Sequence, residues 1–315
     1  MCEALGVPRS SFYEWCQRVP SLRRIEDAQL LRPLRKAFAA HRGVYGSPRL
    51  KRALDAMGYP CGRHRVARLM REDGLVAKQA RRFRPRPGRA AQYQVPNHLL
   101  DRGPATRKGD VWVGDYTYIH TRRGWLFLAV VMDQYTRQIL GWATSEARTA
   151  QLTCDALRNA RKRHRPRPGA LFHSDQGIEY AANDFKALVR RSGLTHSMSR
   201  RAYCYDNAHV ESFFGTLKAE SDVTETELQE SVSGLIRHIE DYLQFYNRKR
   251  LHSALDFQPL AIFGKLAACT CPISPGKVIQ RHVPRSLGPL VATDLLDTAP
   301  IGCSGSSRRW IRTPR

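Results

Sequence analysis

Acidic side chains are scarce in this 315-residue sequence, in which 28 Asp and Glu stand against 52 Lys and Arg and the formal charge is +24. An excess of that size excludes an acidic partner-seeking surface and points to a polyanion as partner. Long hydrophobic runs are missing too. The longest, Trp125 to Met132, has eight residues, too few to cross a bilayer. No basic-then-apolar signal opens the chain, so a cytoplasmic protein with no membrane attachment is expected. The eight cysteines, at 2, 16, 61, 154, 204, 269, 271 and 303, include no C-x-x-C pair. That spacing speaks against zinc, and the lack of a secretory signal speaks against a disulfide framework. What the chain does have is 42% hydrophobic residues, enough for a globular core.

The positive charge is unevenly spread. Residues 1–108 hold 24 basic and 8 acidic side chains, residues 109–265 hold 21 and 18, and residues 266–315 hold 7 and 2. A nucleic-acid-binding front end joined to a nearly neutral module is the simplest reading. Within residues 1–20, "CEALGVPRSSFYEWCQR" predicts a short helix, a Gly6-Val7-Pro8 turn and a second helix opened by Ser10 or Ser11, with Arg9 at its start as a candidate DNA contact. This resembles the last two helices of a helix-turn-helix. Residues 21–80 predict a further helical DNA-binding unit, with helices over Glu26 to His41, Pro48 to Met57 and Gly62 to Glu72, the last two separated by the Gly58-Tyr59-Pro60 break. The third helix carries Arg63, Arg65, Arg68 and Arg71. They form either a solvated basic face or a row of phosphate contacts, and the neighbouring "KQARRFRPRPGR" favours the second. That cationic block opens a basic linker over residues 81–108.

From Gly109 the pattern changes to strands. "DVWVGDYTYIHT" alternates and puts Val111, Val113, Asp115, Thr117 and Ile119 on one face. "GWLFLAVVMDQYT" and "RQILGWATS" continue as hairpin-connected neighbours. A helix over Ala150 to His164, a strand at 170–174, a helix near 182–192, a short strand in "LTHSMS", and a helix opening at Asp206 follow. A stripe of Leu228, Val232, Leu235, Ile239, Tyr242 and Tyr246 predicts a long closing helix. The fold class is α/β with a mixed sheet, preceded by an all-α region.

A carboxylate on the apolar face of a central strand is costly unless it is paired or binds a metal, and Asp115 has that position. Asp175 ends another strand, and Glu211 lies just inside a helix, near its positive end. Three carboxylates from two strands and a helix suit two hard cations, magnesium or manganese, which take oxygen ligands and complete their shells with substrate phosphates. Phosphoryl transfer on nucleic acid is the natural chemistry for such a set. Asp133 instead suits a turn, and Asp206 a helix cap. His173, on the same strand face as Asp175, is open to either a supporting role behind the site or a satisfied core position. "YNRKRLHSAL" fits either DNA contact or a helix end packed on the core.

The blocks "WVGDYTYI", "VVMDQYTRQILGW", "HSDQGIEY", "YDNAHVESFFGTLKAE" and "YNRKRLHSAL" resemble, in order, the retroviral-integrase-like core of bacterial insertion-sequence transposases, in particular the OrfB product of the third insertion-sequence family. Thirty-five residues separate Asp175 from Glu211, the spacing characteristic of that family. The likeness extends upstream through the Y-G-S-P-R-L and R-L-M-R-E-x-G-L stretches and covers residues 1–263. It implies an RNase H-like catalytic core over 109–263, with Asp115, Asp175 and Glu211 as the metal-binding catalytic triad and Lys218 on the terminal DNA. It further implies two-metal cleavage and strand transfer at element ends, a homo-oligomer on DNA, and the upstream OrfA product as a partner. A noncatalytic element-end binding protein and an RNase H-like nuclease are the alternatives. Residues 264–315, with Pro, Gly and Ser clusters, have no counterpart in the family and are expected to form a disordered tail.

Overall fold

Local signals place most of the helices of the N-terminal part. The computed structural model of the chain describes residues 2–17, 19–78, 95–200, 207–223 and 231–269. Residues 2–6 form turns and not the short helix expected of them; Gly6, at φ 62°, closes them. Helix α1 (Arg9–Gln17) starts directly after Pro8, because proline lacks only an N–H that the first helical turn leaves unused. Ser10 and Ser11 therefore sit inside the helix and do not cap it. Helix α2 (Leu22–Ala40) begins four residues earlier than the apolar pattern predicted, since Ser21 accepts a hydrogen bond from Arg24 N and caps it. Helices α3 (Ser47–Ala56) and α4 (Arg63–Glu72) match their predicted positions. Leu30, Leu34, Leu50, Leu54, Val66 and Leu69 are buried between α2, α3 and α4.

The basic linker is described only from residue 95, where a short helix, α5 (His98–Arg102), interrupts it; residues 81–94 lie outside the described residues. Strands β1 (Val111–Thr121), β2 (Gly124–Asp133) and β3 (Ile139–Ser145) form an antiparallel meander. Helix α6 (Ala150–Arg163) crosses over to β4 (Leu171–Ser174), which runs parallel to β1. A one-turn α7 (Ile178–Ala181) precedes the predicted helix α8 (Asn183–Arg191), and β5 (Thr195–Met198) adds in parallel to β4. The five-stranded sheet has the order β3-β2-β1-β4-β5, so β1 is central and both of its faces are covered near Val111 to Gly114. This is the mixed α/β sheet expected of an RNase H-like core.

One face of the sheet packs Trp112, Ala129, Val131 and Phe172 under α6 and α8. The approach is closest at Gly141, where an added Cβ would stand 2.2 Å from Ala160 N, so only glycine lets β3 meet α6. The other face packs Val111, Val113, Leu128 and Val130 under α9 (Ala208–Glu220) and α10 (Val232–Arg248). Asn207 holds the N-cap position of α9; Asp206 and Leu228 lie outside the described residues. Beyond α10 come the short pair β6 (Leu251–His252) and β7 (Gln258–Pro259) and then α11 (Leu260–Cys269). This last helix runs six residues into the segment expected to be tail; residues 270–315 lie outside the described residues. The buried residues of α2, α3 and α4 belong to the same apolar cluster as those of α9 and α10.

Candidate active site

Three elements converge midway along β1, where its pairing with β4 ends. Asp115 stands on the central strand, one position past the end of its pairing with β4, and Asp175 follows the last residue of β4 itself. Glu211 projects from the first turn of α9, whose N-cap residue Asn207 donates its side-chain amide to Gly114 O at 3.3 Å. That bond ties the start of the Glu211 helix to the residue next to Asp115. Asp115 Oδ1 accepts Tyr116 N at 2.8 Å, and Asp175 Oδ1 accepts Gly177 N at 3.1 Å, so each aspartate is held by its own turn of backbone.

The three carboxyl groups feel one another. Burial pushes Asp115 well above the usual aspartate range, and the charges of Asp175 and Glu211 push it further. Glu211 is raised by burial and by Asp175. Asp175 is raised by burial, and Glu179 adds to this while Arg148 opposes it. Like charges that destabilise one another in a partly buried site are relieved by a cation. The donor set is entirely oxygen, which fits magnesium or manganese in kind. Among the described residues, no three His, Cys, Asp or Glu side chains are gathered closely enough to enclose a metal. The hydroxyl of Tyr180 and Oδ1 of Asn207 are buried and make no hydrogen bond in the structure. Tyr180 is itself raised well above the usual tyrosine range by burial and by the charges of Asp115 and Asp175.

A neighbour of the trio escaped the reading of the sequence. Glu179, 5% exposed, is buried beside Asp175 and accepts Arg148 Nε at 2.5 Å and Arg148 Nη2 at 3.3 Å. The guanidinium lies 5.1 Å from the Tyr116 ring centroid. Its charge opposes the repulsion that Glu179 adds around Asp175. The only signal in the sequence was the acidic residue in "HSDQGIEY"; its partner stands 31 positions away.

The remaining candidates divide between structure and surface. Asp133 is buried and accepts Thr136 N and Thr136 Oγ1, both at 2.8 Å, and Gly109 N at 2.7 Å, which is a turn-forming role. His173 is a satisfied core residue, with Nδ1 2.9 Å from Ser197 Oγ and Nε2 3.1 Å from Ser199 Oγ. In "YNRKRLHSAL", Asn247 bridges to both the N–H and the C=O of Ile139 on β3, and Arg250 is buried against Glu220. Those contacts make the stretch a packed helix end. On α4, Arg65 and Arg68 both reach Asp27, at 2.6 and 2.5 Å, and Arg68 also meets Glu72. Their charge is thus largely paired with carboxylates at the edge of the bundle. Arg63 and Arg71 remain exposed, as does Arg9 on α1. Lys218 is partly buried, its Nζ lies 5.1 Å from the Tyr118 ring centroid, and burial lowers its pKa. No described helix is long and apolar enough to cross a membrane.

Comparison with known proteins adds to this geometry. Two models of the integrase core domain match residues 105–204 and 192–259, and a model of an HTH-like domain matches residues 24–83. A 31 kDa protein of insertion element IS600 from Shigella sonnei is 42% identical over 258 residues, covering 81% of this chain and 94% of its own. Transposase InsF of insertion sequence IS3A from Escherichia coli is 41% identical over 261 residues, covering 80% and 88%. Among solved structures, the HTLV-2 integrase catalytic core domain in complex with magnesium aligns with 50% of this chain and 96% of its own, at 15% identity and a TM-score of 0.41.

Proposed function

The chain belongs to the insertion-sequence transposases that carry an integrase core domain, and on that premise we propose that Asp115, Asp175 and Glu211 are its catalytic triad for metal-dependent cleavage and strand transfer at element ends. Membership makes the chain a transposase, a polynucleotidyl transferase with an HTH-like N-terminal region. The observation that carries the finer assignment is the electrostatic coupling of three carboxylates supplied by β1, the end of β4 and α9. When bound by the three, two magnesium or manganese ions supply activation of an attacking hydroxyl and stabilisation of the leaving oxygen.

The chain's own residues do the positioning. Backbone N–H groups of Tyr116 and Gly177 hold the two aspartates in place. Arg148 keeps Glu179 from crowding Asp175, and Lys218, seven residues beyond Glu211 on α9, faces the DNA end. Exposed Arg63, Arg71 and Arg9 engage phosphates of the terminal repeat or the target, while Arg65 and Arg68 serve chiefly to hold α4 to α2. The active unit is an oligomer on DNA, with the upstream OrfA product as a partner.

The test is cleavage of a labelled duplex carrying the element's own end, with magnesium or manganese, by wild type and Glu211→Gln, with and without that partner. Nicking at the end that vanishes in the variant is expected. Unimpaired nicking by Glu211→Gln would remove the triad assignment.

A further inference from the structure

The β1–β2 hairpin carries an aromatic cluster that neither the core nor the triad uses. Tyr118 and Trp125 meet diagonally across the two strands at 5.1 Å, edge to face, and His120, directly opposite Trp125, meets it at 5.0 Å. Both large rings stay open to solvent, Tyr118 at 55% and Trp125 at 49%. Packing within the cluster accounts for the edge-to-face contacts and steadies the hairpin. It does not account for outer ring faces left bare beside cations. Lys218 stands over Tyr118 at 5.1 Å, and the two-residue turn between the strands is Arg122-Arg123, both exposed.

Position ties this cluster to the site. Tyr118 lies three residues along β1 from Asp115, about 10 Å at 3.3–3.4 Å per residue but on the opposite face of the strand, and Lys218 links the two by reaching the Tyr118 ring from the Glu211 helix. Lys218 lies seven residues along α9 from Glu211, again about 10 Å at 1.5 Å per residue. Ten ångströms is roughly three nucleotide steps at 3.4 Å per strand. Pairing of β4 with β1 ends at Gly114, so β4 does not cover this part of β1. Solvent-open rings interleaved with basic side chains form a sequence-tolerant surface for bases, because every base offers a π-face and the cations hold its phosphate.

From the rings, their exposure and the Lys218 ammonium over Tyr118, we propose that Trp125 and Tyr118, with Lys218, form a stacking platform for an unpaired nucleobase of the DNA end, a few nucleotides from the phosphate being cut. The proposal rests on the transposase reading above, and it deepens that reading by giving the site a preference for frayed or single-stranded ends over closed duplex.

Binding without catalysis tests it apart from that reading. Full-length protein carrying Asp175→Asn is titrated, without divalent metal, with a fluorescent oligothymidylate strand and with a blunt duplex of equal length. Trp125→Ala should weaken the single strand at least about fivefold, the lower end of what one stacked base supplies, and change duplex affinity less than about twofold. Trp125→Phe should restore most of the loss. No binding of oligothymidylate by the parent protein, unchanged single-strand affinity in Trp125→Ala, or equal losses on both DNAs would overturn the platform. So would a fall in sedimentation coefficient in Trp125→Ala without DNA, which would assign the rings to a second copy of the chain. Nicking dependent on Glu211 alongside any of these failures would leave the transposase reading standing and remove only the platform.

Discussion

Loss of Arg250 should unsettle the whole described fold, because its partner is buried at the junction of three helices. Arg250 and Glu220 have side chains only 7% and 8% exposed. Arg250 Nε and Nη2 donate to Glu220 at 2.8 and 2.7 Å, Tyr242 OH donates to the same carboxylate at 2.9 Å, and Arg49 of α3 stands 3.7 Å from it. Arg250→Met removes two charge-assisted bonds and leaves the glutamate buried with one neutral donor and a distant guanidinium. Breaking a buried pair in this way costs about 3–5 kcal/mol. At about 2–4 °C per kcal/mol for a chain of this size, the melting temperature should fall by about 6–20 °C. The double variant Glu220→Met/Arg250→Met should regain most of that loss, since the penalty is the orphaned charge and not the absence of the pair. Urea unfolding of the three variants against wild type measures it. A loss under about 1 kcal/mol for Arg250→Met, or a double variant no better than the single, would show that the carboxylate finds water and that the pair does not lock α3, α9 and α10 together.

Two further outcomes follow from the geometry. Replacing Arg63 and Arg71 by Ala should flatten the dependence of log K on log salt for duplex binding by about 1.8, two phosphate contacts at about 0.9 each, whereas replacing Arg65 and Arg68 should mainly lower the unfolding midpoint. Identical salt slopes in both double variants would relocate the DNA surface. His196 and His252 should make the fold acid-sensitive. Burial holds His196 at about 4 and, with Arg250 nearby, His252 at about 3, against 6.5 when free. Between those values and 6.5 the unfolded chain binds more protons than the folded one, so stability is complete above about pH 6.5 and falls as pH drops toward 4. Urea midpoints at pH 7.5, 6 and 5 should decline in that order; a flat series would mean that both rings take up protons without leaving their sites.

The short-range features were legible from the residues alone. The alternation of "DVWVGDYTYIHT" showed which side of β1 carries Asp115, the apolar run ending in His173-Ser174-Asp175 marked a strand tip, and the helix holding Glu211 and Lys218 followed from its own pattern. Each depends on backbone geometry among near neighbours, which sequence order encodes directly. Even here the starts of α1 and α2 moved by a few residues, because Pro8 and Ser21, not the apolar period, set them.

Partner choice was decided only by the tertiary structure. Arg65 reads as a free cation on a basic helix until α2 brings Asp27 to within 2.6 Å across 38 positions. Glu220 and Arg250 look like surface charges until packing of α9 against α10 removes water from both. The Leu251 N–H finds the Tyr45 hydroxyl at 2.7 Å across 206 positions. Whether a charge is spent on a neighbour or left for DNA depends on which faces meet and which water is expelled. No local period carries that information, so the carboxylate trio could be named from the chain, while the ion pairs around it and the bare rings of the hairpin emerged only from the packed fold.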